Sequence, residues 1–141
     1  MKSAPILLSA AFLAACATTP MGNLPTPTAA LPTTPLDMGD WRHAGAEAEL
    51  SGFQSAVTHR YGAGLAVADV LADLRRAQFT CTPNSDTRGD PPTQICRKTL
   101  TEAGCTHTWQ VHLYDADARL TRSRGLYDRR CGADGLLGGP S

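Results

Sequence analysis

From residue 46 onward the apolar positions fall on a helical period. Ala46, Leu50, Phe53, Val57 and Tyr61 recur at spacings of 4, 3, 4 and 4, which is one face of a helix. Gly62 and Gly64 follow and stop it, as glycine does just past a helix end. A second helix is predicted over about 66–78, with Val67, Val70, Leu71 and Leu74 as its apolar stripe. Asp69 lies early in it and Arg75 and Arg76 late, the order that a helix dipole favours. Both stripes read most simply as core facing a sheet.

The period then changes to two. Phe79–Thr82 predicts a short strand, residues 83–92 a polar turn region, and Gln94–Leu100 a second strand. Glu102–Gly104 turns the chain. His107–Tyr114 is the clearest strand, with Trp109, Val111 and Leu113 on one side and Thr108, Gln110 and His112 on the other. Asp115–Asp117 makes a tight turn into a last strand from Arg119 to about Arg129. On a straight strand Arg122 and Arg124 share a face with Leu120, while Thr121 and Ser123 take the other. The pattern predicts an α+β fold: two helices packed on one face of a three- or four-stranded antiparallel sheet. The globular part should span 40–131. A Gly-rich tail, 132–141, is expected to be disordered. Trp109 alternates with Val111 and Leu113 and should be core. Trp41 fits either a cap on the sheet or an exposed position.

Upstream the pattern is different in kind. Met1 and Lys2 put a positive charge ahead of an apolar run from Ile6 to Leu13, too short to span a bilayer. Leu13-Ala14-Ala15-Cys16 closes it, an aliphatic residue and two small ones before a cysteine. This stretch resembles the lipobox of bacterial lipoproteins. The resemblance implies a signal peptide over 1–15, cleavage before Cys16, and fatty acylation of Cys16 on sulfur and on the new α-amine. Multiple acyl chains would make membrane anchoring stable. Ala17 in place of an aspartate resembles the sorting signal for an outer membrane. The competing expectation is an ordinary signal peptide that releases a soluble protein. Residues 17–36 hold five Pro, six Thr and no charge. Such a composition favours an extended polyproline form over a packed core. With the lipidated cysteine, the stretch 16–39 reads as a tether holding a domain off the membrane.

Cysteine arithmetic agrees with the anchor. Five cysteines are odd for an exported chain. With Cys16 lipidated, Cys81, Cys96, Cys105 and Cys131 remain, an even set that reads as two disulfides. Their spacing contains no C-x-x-C, which structural zinc sites usually show. If the loop between the first two strands is centred near residue 88 or 89, Cys81 faces Cys96. If the turn after Tyr114 is centred near 116 or 117, Cys105 and Cys131 meet within a few residues. The expected pairing, out of three, is Cys81–Cys96 and Cys105–Cys131.

Charge narrows the partners. The chain carries 13 basic and 13 acidic residues, and losing Lys2 leaves 12 against 13. Nucleic acid, which calls for a basic excess, is not an expected partner. No G-x-S-x-G, H-E-x-x-H or P-loop is present, and no cofactor or metal is called for. His107 and His112 fall on opposite faces of one strand and cannot share a metal. His43 and His59 have no evident carboxylate partner, and Asp115 and Asp117 suit a polar turn. The chain is therefore expected to be non-enzymatic. One surface feature stands out: Arg119, Arg122, Arg124, Arg129 and Arg130, five arginines in twelve residues. They suit an anionic envelope polymer or an acidic protein face. The plainer reading, and the favoured one, is a charge-protected edge or solvent-facing strand balanced by Asp115, Asp117 and Asp128.

Two helices followed by an antiparallel meander resemble the SmpA/OmlA-like outer-membrane lipoproteins. The local match is Gly64-Leu65, then Val70, Leu74 and Phe79, where the family has a Gly-Met pair opening the second helix. The likeness covers about fifteen residues plus element order. The four domain cysteines and a fourth strand depart from that pattern. The resemblance implies a non-enzymatic lipoprotein that binds or scaffolds envelope components, including barrel assembly or envelope integrity. The alternative expectation is a periplasmic inhibitor or an envelope-stress sensor, which also combines a lipobox, a Pro-rich tether and a two-disulfide domain.

Overall fold

The computed structural model describes residues 30–132. The expected leader, Cys16, residues 17–29 of the tether and residues 133–141 of the tail lie outside the described residues. Two helices, α1 (Ala46–Arg60) and α2 (Val67–Arg76), precede four strands, β1 (Thr80–Pro83), β2 (Gln94–Glu102), β3 (Cys105–Ala116) and β4 (Arg119–Cys131). The strands form one antiparallel meander in the order β1-β2-β3-β4. The chain is thus α+β, with four strands rather than three.

Local chemistry sets the boundaries. Glu47 and Glu49 occupy the first turn of α1, and His59 and Arg60 the last, which suits the helix dipole. Neither helix has a side-chain cap. At α2 the neighbouring hairpin substitutes, since Val67 N donates to Ala118 O at 3.1 Å. Both long hairpins close on two residues with positive φ, Ala103-Gly104 and Asp117-Ala118. Two such residues match the right-handed twist of the flanking strands.

The helix-side face of the sheet holds the core. Phe53 and Val57 of α1, Tyr61 just past its end, and Val70 and Leu74 of α2 are buried against Cys96, Trp109, Val111, Leu113, Leu120 and Tyr127. Gly125 lets α1 come down onto β4. A Cβ there would sit 3.0 Å from Val57 Cγ2 and 3.1 Å from the backbone of Phe53 and Gln54. Two features of the helix side differ from the periodicity. Ala46 is exposed, and Glu49 is buried in its place at 3% exposure. The packed unit also begins before residue 40. Leu36 is 6% exposed within the core and Leu31 packs beside it. Arg60 Nη2 donates to Pro32 O at 3.3 Å, pinning the same stretch.

A bulge in β4 corrects the expected strand faces. Asp115 pairs with Leu120 but Tyr114 with Arg122, so Thr121 is an extra residue. Its hydroxyl donates to Tyr114 O at 2.9 Å. Beyond it the faces exchange. Leu120, Ser123, Gly125 and Tyr127 turn toward the helices, and Arg122 and Arg124 do not share the face of Leu120. The same insertion moves the hairpin register by half a step and sets Cys105 opposite Cys131. Cys81 lies opposite Cys96. The sulfurs are 2.01 Å apart in Cys81–Cys96 and 2.00 Å apart in Cys105–Cys131, so both pairs form as expected. Each bridge closes a loop worth roughly 3 kcal/mol in the chain-entropy description.

Candidate functional site: the open face of the sheet

The helices cover one face of the sheet only. The other face is set out by the strand register. Thr80 and Thr82 of β1 stand beside Arg97 and Ile95 of β2. These continue across β3 through Gln110 and His112, with Thr99 opposite Thr108 and Thr101 opposite Thr106. On β4, Arg124 lies opposite His112, Arg122 opposite Tyr114, Asp128 opposite Thr108 and Arg130 opposite Thr106. A row of threonines thus runs beside a band of arginines. Threonine suits a pleated surface through its β-branch and still offers a hydroxyl to solvent or ligand. A hollow of about 530 Å³ opens at the β1 end, lined by Thr80, Thr82, Ile95, Arg97, Thr99 and residues 83–85.

The arginines of this face divide by partner. Arg122 bonds to Asp90 and lies over the Tyr114 ring, 3.6 Å from its centroid. Arg130 pairs with Asp128 at 3.0 Å. Arg97 and Arg124 make no ion pair among the described residues. Direct cross-strand neighbours have Cβ atoms about 5 Å apart, and diagonal ones about 7–8 Å. Arg124 is the direct neighbour of His112 and Arg97 the diagonal one. Partial burial lowers the pKa of His112, and Arg124 and Arg97 lower it further. His112 Nε2 is 3.2 Å from Gln110 Oε1. The cluster is an imidazole whose protonation is disfavoured, flanked by two guanidinium groups whose charge an approaching anion would neutralise.

The five sequence-predicted arginines therefore do not form one patch. Arg122, Arg124 and Arg130 reach the open face. Arg119 Nη1 donates to Gly64 O at 3.3 Å, by the loop between the helices. Arg129 is on the helix side, where its Nη1 donates to Ala44 O at 3.2 Å. Arg97 takes their place. Its signal was the pairing of β2 with β3, since alternation puts Arg97 on the same side as Gln110 and His112.

The polar groups on the helix side are satisfied by one another. Arg60 and Asp73, 8% and 9% exposed, form an ion pair at 2.8 Å, and Asp73 also accepts from Tyr61 Oη and Arg76. Burial pulls the pKa of Asp73 up, but the three donors outweigh it and leave it below the ordinary value. The same burial and the Asp73 charge push the Tyr61 phenol well up. Asp73 and Arg76 of this network line the polar side of a hollow of about 480 Å³ between residues 31–36 and α2. At the other end, His107 Nδ1 and Tyr127 Oη are 2.7 Å apart, and Trp41 meets His107 and Trp109 edge-on. Trp41 thus caps the sheet. Trp109 Nε1 donates to Glu49 Oε1 at 3.4 Å, and burial, outweighing that bond, raises the pKa of Glu49. These groups serve the packing. No cluster of three metal-ligating side chains occurs among the described residues. Compared with known protein families, with curated proteins and with solved structures, the chain matches none.

Proposed function

We propose that this chain is a lipid-anchored, non-enzymatic binding module of a bacterial envelope. Cys16 carries the acyl chains, the Pro/Thr-rich stretch spaces the domain from an outer membrane, and the domain faces the periplasm. The single observation that carries the binding role is the open sheet face. There Arg97 and Arg124 flank His112 without an ion pair among the described residues, while each buried polar group on the helix side has a partner. The two disulfides suit an oxidising compartment. The likeness to SmpA/OmlA-like lipoproteins in element order supports an envelope scaffold, and the arginine-threonine face supports an anionic partner within it.

The test has two parts. Intact-mass analysis of the mature polypeptide from the envelope should find it beginning at Cys16 with the added mass of acyl chains. Crosslinking in the same envelopes should yield adducts that R97E/R124E abolishes at unchanged protein level. A free Cys16 thiol removes the anchor, and adducts indifferent to the charge reversal remove the binding face.

A further inference from the structure

The second feature of β4 is its outer edge. Hydrogen bonds at both ends fix which peptide groups point outward. Leu113 O accepts from Thr93 N at 2.8 Å, so Leu113 turns its peptide groups to the β2 side and offers none to Ser123. At the far end Gly132 N donates to Gly104 O at 2.8 Å, so Cys105 and Cys131 form a pair without mutual hydrogen bonds. Antiparallel pairing alternates between these two kinds of pair. The N–H and C=O groups of Ser123, Gly125, Tyr127 and Arg129 therefore face away from β3.

Leu120, ahead of the bulge, displays what such groups do with a partner. Its N donates to Leu65 O and its O accepts from Gly64 N, both at 2.8 Å. Residues 64–67 thus begin a fifth strand, with one bridge between Ala66 and Arg119, and then leave as α2. From Ser123 to Arg129 the edge has no main-chain partner among the described residues. Helix α1 crosses above β4 at Gly125, with the Gln54 backbone 3.1 Å from a Cβ built there.

We propose that this edge is a strand-docking site for an extended acidic segment of a partner protein, bonded to the backbone of Ser123, Gly125, Tyr127 and Arg129. The main chain supplies the fit, as in other strand additions, and side-chain charge supplies the choice. β4 carries five arginines and one aspartate. A second copy paired across the same four residues would set Arg124 opposite Asp128 but Arg122 opposite Arg130, whereas glutamate or aspartate along an added strand would meet Arg122, Arg124 and Arg130 alike. The inference rests on the binding-module reading and narrows its partner to a protein segment.

Amide hydrogen exchange on the mature chain tests it, with a short capped peptide of alternating Glu and Val as probe. In the free protein Tyr127 and Arg129 should exchange faster than Leu126 and Asp128, whose amides face β3. The Glu–Val peptide should slow Tyr127 and Arg129 by about ten-fold or more, the effect of a hydrogen bond of roughly 1.4 kcal/mol. A Lys–Val peptide and inorganic polyphosphate should not. Edge amides already protected in the dilute free chain would mean that the edge is already covered, and the inference falls. It falls also where protection grows with protein concentration alone, or where polyphosphate protects as well as the peptide. Edge protection by the peptide without charge-dependent envelope adducts would keep the docking geometry and reject the binding-module reading.

Discussion

One sheet carries two faces of opposite character. On the helix side, Trp109, Val111 and Leu113 are fully buried and each polar group nearby is committed. Asp73 is held by three donors, Ser123 Oγ donates to Tyr61 O at 2.7 Å, and His107 is paired with Tyr127. On the open side the same strands present Thr99, Thr108, Arg97, His112 and Arg124, with hydroxyls and guanidinium groups left to solvent. Burial demands partners for polar groups, because an unmet one costs about 1–3 kcal/mol. Exposure makes no such demand. A charge cluster lacking ion pairs is cheap to keep where water solvates it, so the open face is free to be shaped by a ligand. The difference separates residues that hold the fold from residues available to a partner.

The largest break in that contrast should come from the helix side. Asp73→Ala leaves Arg60 buried without its counter-ion and the Tyr61 hydroxyl without its acceptor. Urea denaturation should register a loss of about 3–5 kcal/mol, the usual cost of breaking a buried pair. Gly125→Ala should come next, at about 1–3 kcal/mol, because the new methyl meets Val57 and the α1 backbone at 3.0–3.1 Å. The expected sign is clear, since the atoms it meets include backbone that has no rotamer to change.

A titration sharpens the comparison. The pKa of His112 is lowered from 6.5, by partial burial and then by Arg124 and Arg97. Well above pH 6.5 both folded and unfolded forms are neutral there and His112 contributes nothing. As pH falls below 6.5 the unfolded chain takes up the proton first, so stability falls until the lowered folded pKa is reached. His107, lowered by burial and by Arg129, acts in the same direction. Glu49, raised from 4.5 by burial, opposes them, because its protonation in the fold restores stability as pH falls. Asp73 acts lower still, its contribution lost only as pH drops through a folded pKa below 3.8. The difference between wild type and H112Q isolates one of these. Denaturation at pH 7 and pH 5 should find a smaller loss on acidification in H112Q.

The smallest stability effect belongs to the open face. R97E and R124E should each change the unfolding free energy by no more than about 0.5 kcal/mol, as exposed substitutions do. Their binding effect should be large by contrast.

What could be read in the chain before its structure follows from how local each signal is. Phe53, Val57 and Tyr61, or Trp109, Val111 and Leu113, announce their faces through period alone. Hairpin centring placed Cys81 against Cys96, because that loop inserts no irregularity. Thr121 was illegible. An extra residue in a polar strand leaves the local pattern intact and shifts only what lies across it, so the expectation that Arg122 and Arg124 share the face of Leu120 fails. Glu49, an acid in the first turn of α1, carries no local sign of burial, since its partner Trp109 lies sixty residues away. Leu36 was hidden by the prolines and threonines around it. Arg97 joins its cluster only through pairing between strands, which no single segment encodes.

The most direct test compares the two faces in place. A photoreactive residue at Thr108 on the open face, and another at Ser55 on the exposed side of α1, should be expressed in the full-length chain and irradiated in intact envelopes. The account predicts a discrete adduct from Thr108 that disappears with R97E/R124E, and none from Ser55. A discrete adduct from Ser55 with none from Thr108 would contradict it.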